Sequence, residues 1–179
     1  MHNFEKSLAL TLKFEGGFVD NPFDPGGATN MGITLSTLSN YRGHTASKLD
    51  VKRLTQTEAS AIYLSHYWEP LLAEQLPDGV DMFMFDYAVN SGPARAVIAL
   101  QSILGLLPDG SVKVSTLRES LRQDPATLIR ALASKRLGFL QRLRSFQHFG
   151  RGWKTRVDAV TSASLELCHS RIPSIPAVS

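Results

Sequence analysis

The chain is nearly devoid of cysteine: Cys168 is the single one in 179 residues. A lone thiol closes no internal disulfide, and no Cys/His set has zinc spacing, so packing alone must hold the core. The five histidines are scattered, and neither a metal nor a cofactor is expected. No apolar run approaches the ~20 residues that cross a bilayer. Residues 1–6 lack a basic start leading into an apolar stretch, so the chain reads as one made without a Sec signal. Repeats and low-complexity tracts are absent too, and the composition excludes a disordered chain, a collagen and a coiled-coil rod.

What is present is an ordinary globular composition, with 43% hydrophobic and 20% charged residues. The length suits one domain of common size. The net charge of +3 hides an asymmetry: residues 1–94 carry 6 basic and 11 acidic side chains (−5), residues 95–179 carry 13 and 5 (+8). The basic half, with its arginines over residues 118–156, suits an anionic wall, lipid or nucleic-acid surface, or simply solvated helix faces. No helix-turn-helix or aromatic-basic signature supports nucleic acid. No exposed heptad or large apolar face supports an oligomer, so a monomer is expected.

Hydrophobic spacing reads as mainly helical. Phe4, Leu8 and Leu12 predict a helix over residues 3–15, closed by Gly16-Gly17. Residues 16–34 read as a glycine-rich loop with short strand at Phe18-Val19 and Ile33-Thr34. Thr55 to Glu58 matches a capping box for a helix to about Tyr67. After a break at Pro77-Asp78-Gly79, Val80, Phe83, Met84, Tyr87 and Ala88 give a helix with an apolar face, and Pro93 opens the next. Leu107 to Gly110 is a turn and Thr116 opens a short helix. Asp124-Pro125 starts a long helix with Leu128, Leu132, Leu140 and Leu143 inward. Gly150-Arg151-Gly152 separates it from a last helix carrying Val157, Val160 and Leu167. Residues 171–179, with two prolines, read as a tail.

The chemistry concentrates in residues 15–34. Glu15 stands where a helix ends and its partial negative charge disfavours a carboxylate. Gly16 and Gly17, which follow it, let the backbone turn tightly and leave open space beside the carboxyl. A carboxylic acid in such a place suits glycosidic cleavage, where the leaving oxygen needs a proton and a second carboxylate supports the cation or activates water. Asp24 and Asp20 are the nearby second carboxylates, and Thr29, Asn30 and Thr34 the residues to hold a water. The plain alternative is a surface glutamate beside a connecting loop.

The string KFEGGFVDNPFDPGGATNMGIT resembles the N-terminal signature of glycoside hydrolase family 108, the bacterial and phage N-acetylmuramidases. The likeness continues at Tyr67-Trp68, at DYAVNSG over residues 86–92, at GLLPDGSVKVSTL over residues 105–117, and at GWKTRV over residues 152–157. Phe18 stands for the usual Tyr, Asp20-Asn21 reverses the common order, and Lys113 replaces a glycine. The resemblance implies a lysozyme-like helical fold: a catalytic region over 1–94, a basic peptidoglycan-binding-like region over 95–170, and the tail.

It implies Glu15 as proton donor, with Asp24 stabilising positive charge or activating a water held by Thr29. Tyr67, Trp68, Asp86, Tyr87 and Asn90 are the residues expected to bind substrate. The rings would stack on sugars, and the Asn90 amide would meet an N-acetyl group; core packing and a helix stop are the structural readings. The implied reaction cuts the β-1,4 bond between N-acetylmuramic acid and N-acetylglucosamine in peptidoglycan strands. A lytic transglycosylase or a non-catalytic wall-binding protein are the alternatives. Family members act as phage lysins or as helpers in toxin secretion, reaching the periplasm and wall from the cytoplasm by a holin or another export route.

Overall fold

The computed structural model describes residues 2–20 and 27–169. Asp24 and the tail over 171–179 lie outside them. Along the described residues run α1 (His2–Leu12), β1 (Thr29–Asn30), β2 (Ile33–Thr34), α2 (Leu35–Arg42), α3 (Lys48–Lys52) and α4 (Gln56–Tyr63). There follow α5 (Val80–Ser91), α6 (Pro93–Ile103), α7 (Val114–Leu121), α8 (Pro125–Gln141) and α9 (Phe146–His169). A π-helical turn, Leu64–Trp68, prolongs α4, and a 3-10 turn, Ala73–Gln75, precedes α5. The fold is mainly α, as a lysozyme-like chain requires.

Helix α5 is the axis of the molecule. Every residue from Val80 to Ala88 is buried, because α1, α6, α8 and α9 all pack against it. An apolar stripe on one face was the expectation; a helix enclosed on all sides instead needs apolar residues all round. Phe85 anchors the α1 side, with Phe4 at 5.8 Å and Trp68 at 5.7 Å in edge-on contact. One hydrophobic cluster runs from Phe4 through Phe85 and Leu100 to Leu132 and Val160. It crosses residue 94 without a gap, so the acidic and basic halves share a single core.

Local chemistry sets most boundaries. Asp124 caps α8 by accepting from Thr127 N at 2.8 Å, and Pro125 and Pro93 occupy first turns. Thr55 accepts from Glu58 N at 3.2 Å, but the Glu58 side chain does not complete a capping box. It takes two hydrogen bonds from Arg42 instead, at 2.8 and 3.0 Å. Gly150 and Gly152 lie inside α9 rather than between helices. A Cβ on Gly150 would sit 2.8 Å from the Phe146 ring, so glycine serves close packing there, not chain breaking. Thr116 accepts from Lys113 N at 3.4 Å, two residues after the start of α7, and Leu143 lies past the end of α8. Lys113 pairs with Asp109 across the turn.

Candidate active site

Helix α1 stops at Leu12, not at residue 15. Lys13 N and Phe14 N bond back to Leu10 O and Thr11 O, which tightens the last turn and swings Glu15 out of the helix. The chain then runs to Val19, which forms a single bridge with Thr29. Thr29 and Asn30 pair with Thr34 and Ile33 across a two-residue turn. Both turn residues have positive φ, Met31 at 48° and Gly32 at 73°. That is the turn whose twist matches a tight hairpin, and it normally takes residues tolerant of left-handed backbone.

Two bonds hold Met31 in this conformation: its N–H donates to Gly16 O at 3.1 Å, and its carbonyl accepts from the Tyr63 hydroxyl at 2.8 Å. Gly32 thereby lies against Glu15; a Cβ there would be 2.8 Å from Glu15 Oε2 and would collide with the Tyr63 hydroxyl. Glu15, Gly16, Gly17, Val19, Gly27, Thr29 and Gly32 line a cleft of about 220 Å³. The structure thus brings Glu15 and Thr29 together. The Glu15 side chain is 18% exposed.

Behind the cleft stands a chain of charges that spacing gave no sign of. Arg156 from α9 donates through Nη1 to Glu15 Oε1 at 2.9 Å. Its Nε and Nη2 donate to Asp86 at 3.1, 3.1 and 2.8 Å. Arg136 from α8, fully buried, donates to Asp86 Oδ2 at 2.8 Å and to Asn90 Oδ1 at 3.3 Å. Thr11 adds a bond to Asp86 Oδ1 at 3.1 Å. Burial alone would favour a protonated Asp86, but Arg136 and Arg156 outweigh it and hold the carboxyl below the usual carboxylate range. Burial, reinforced by the Glu15 charge, pushes the Tyr63 hydroxyl well above its ordinary range, so it stays a neutral donor to Met31. Tyr67, its ring 5.6 Å from that of Tyr63, is raised for the same two reasons.

The expected substrate-binding residues divide. Tyr67 is partly exposed and close enough to feel Glu15. Asn90, also partly exposed, accepts from Arg136 and Ser91, while its amide nitrogen has no partner among the described residues. Trp68, Asp86 and Tyr87 are 3%, 0% and 1% exposed and present no surface to a glycan. Trp68 fills the core beside Phe4, and Tyr87 lies 5.2 Å from the Arg136 guanidinium. Asp86 has both oxygens committed to arginines, so it is a buried acceptor. Asn30 and Thr34 are likewise structural: Asn30 donates to Val51 O at 3.0 Å and Thr34 caps α2. Asp20 pairs with Lys48 at the surface. Arg136 and Arg156, read as part of a basic surface, are buried; the GWKTRV string was the signal available for Arg156. No group of side chains suited to a metal occurs among the described residues.

Residues 8–92 match the profile of the family described as glycosyl hydrolase 108. The solved structure of Brucella abortus SagA superposes on the chain with a TM-score of 0.86 at 44% sequence identity, covering 93% of this chain and 96% of that one. No curated protein matches. Identity at that level over nearly the whole length, with a family match spanning the residues of the cleft, makes this chain a glycoside hydrolase and a member of family 108.

Proposed function

We propose that the protein is a peptidoglycan N-acetylmuramidase, with lysozyme activity, that cleaves the β-1,4 bond between N-acetylmuramic acid and N-acetylglucosamine. The observation that carries this reading is the Glu15 carboxyl. It stands in an open cleft with Thr29, inside a glycoside hydrolase chain. Glu15 is the proton donor: it protonates the glycosidic oxygen as that oxygen leaves the anomeric carbon, and positive charge builds on the ring that keeps this carbon. Water adds to that anomeric carbon, and its proton passes to a carboxylate: to the ionised Glu15 directly, or to Asp24, with Glu15 then regaining its proton from solvent. Asp24 stabilises the positive charge or activates the water, and Thr29 holds it. Tyr67 and the Asn90 amide contact the sugar, Tyr67 through its ring and Asn90 through an N-acetyl group. Acting on the wall, the enzyme serves cell lysis or the release of a protein across it, and reaches it through a holin or another export route.

The test is Glu15→Gln, which keeps the shape and removes the proton. Turbidity of purified cell walls should then fall at least ~100-fold more slowly than with wild type. Mass spectrometry of wild-type digests should show reducing muramic ends carrying the added water. Undiminished clearing by Glu15→Gln would overturn the catalytic assignment. Anhydro products, one water lighter, would make the enzyme a lytic transglycosylase, and binding without turnover a wall-binding protein.

A further inference from the structure

We propose that Asp86, which touches no substrate, is a positioning residue that leaves Glu15 free to gain and lose its proton by holding the Arg156 guanidinium in place. This inference rests on Glu15 as the proton donor. Arg156 gives three hydrogen bonds to Asp86 and one to Glu15. Its side chain is 8% exposed, so a guanidinium paired with Glu15 alone would lose its compensation whenever Glu15 took up a proton. Such an orphaned buried cation is strongly disfavoured, and Glu15 would then be held ionised. With Asp86 behind it, Arg156 stays paired in either state of Glu15.

Arg136 sets how much of Asp86 is available. It is wholly buried, pairs with Asp86, and leaves its Nε without a partner. Among the described residues, the charged and titratable groups facing this chain are Arg156 from α9, Asp86 and Tyr87 from α5, Arg136 from α8, Tyr63 from α4 and Tyr67 from the π-helical turn. Among the described residues, two cations therefore balance one enclosed anion and the Glu15 carboxylate at the cleft. Removing the Asp86 charge leaves Glu15 as the one carboxylate paired with Arg156 and favours its ionised form. Removing the Arg136 charge gives Asp86 a larger hold on Arg156 and favours the protonated form. The two losses act in opposite directions.

The experiment measures kcat and kcat/KM against pH on soluble peptidoglycan fragments for wild type, Asp86→Asn and Arg136→Met. Circular dichroism counts the folded fraction. The high-pH limb, where the donor loses its proton, should move down by about one pH unit in Asp86→Asn and up by about as much in Arg136→Met. KM should be little changed in both. Arg136→Lys, which restores the charge, should return the limb to its wild-type place. A merely structural role lowers the folded fraction but does not split the limbs in opposite directions. Limbs that stay put, or move together, overturn the proposal. Where Asp86→Asn does not fold, Arg136→Met against Arg136→Lys decides alone: an unmoved limb overturns it. An active Glu15→Gln would sink the assignment of the donor; a dead Glu15→Gln with unmoved limbs sinks only the role of Asp86.

Discussion

Replacing Gly32 by alanine separates backbone strain from damage to the cleft. Gly32 has φ 73°, where an L side chain costs about 1–2 kcal/mol. Its new Cβ would also strike the Tyr63 hydroxyl and stand 2.8 Å from Glu15 Oε2. Pushing Tyr63 away loses its bond to Met31 O, about 1 kcal/mol more. Together these make about 2–3 kcal/mol, or about 5–10 °C in Tm for a chain of this size. Displacing the Glu15 carboxyl by about 1 Å is expected to lower kcat by about 100-fold. Gly43 supplies the control: its φ is 71°, yet nothing lies within 4 Å of an added Cβ. Gly43→Ala should cost only the strain, about 1–2 kcal/mol, and leave turnover intact. Melting curves and wall-clearing rates of the two variants, side by side, give the answer. Full activity in Gly32→Ala, or equal loss in Gly43→Ala, would refute the idea that the hairpin turn seats Glu15.

Two further outcomes follow from the packing. Burial raises Asp81 from 3.8 to about 6, against the bonds from Asn3, Met82 N and Gly79 N. A raised acid binds its proton more tightly when folded, so its ionisation removes stability as pH climbs from about 4 to about 6, by about 3 kcal/mol at most. Urea unfolding of Asp81→Asn should show that this slope has flattened, and an unchanged slope would count against the burial argument. Asn30→Ala removes the bonds that tie the hairpin to Val51 and Lys52; it should lower stability by about 1–2 kcal/mol and slow turnover in parallel, read by calorimetry and wall clearing. Wild-type turnover would show that the hairpin keeps its place without that tie.

The sequence by itself determined what neighbours a few residues apart decide. Asp124 and Thr55 cap the helices they precede, Pro93 sits in a first turn, and Pro77 to Gly79 breaks the chain, because each acts on backbone groups within one turn. Glu15 and its glycines were legible for the same reason, their arrangement being local and carried by one segment. Elements misread were those where a distant partner won. Glu58 left its cap for Arg42, Gly150 stayed in a helix to admit Phe146, and Asp86 and Tyr87 went to the core because four helices enclose α5.

The tertiary structure alone decided the electrostatics of the cleft. Arg156 stands 141 positions from Glu15 and 70 from Asp86, and Arg136 stands 50 from Asp86. No spacing rule couples such residues, and arginine is ordinarily a surface side chain. Their meeting is fixed by how α8 and α9 pack on α5. Burial of Arg136, Arg156 and Asp86 in a medium of low dielectric then makes each charge depend on the others.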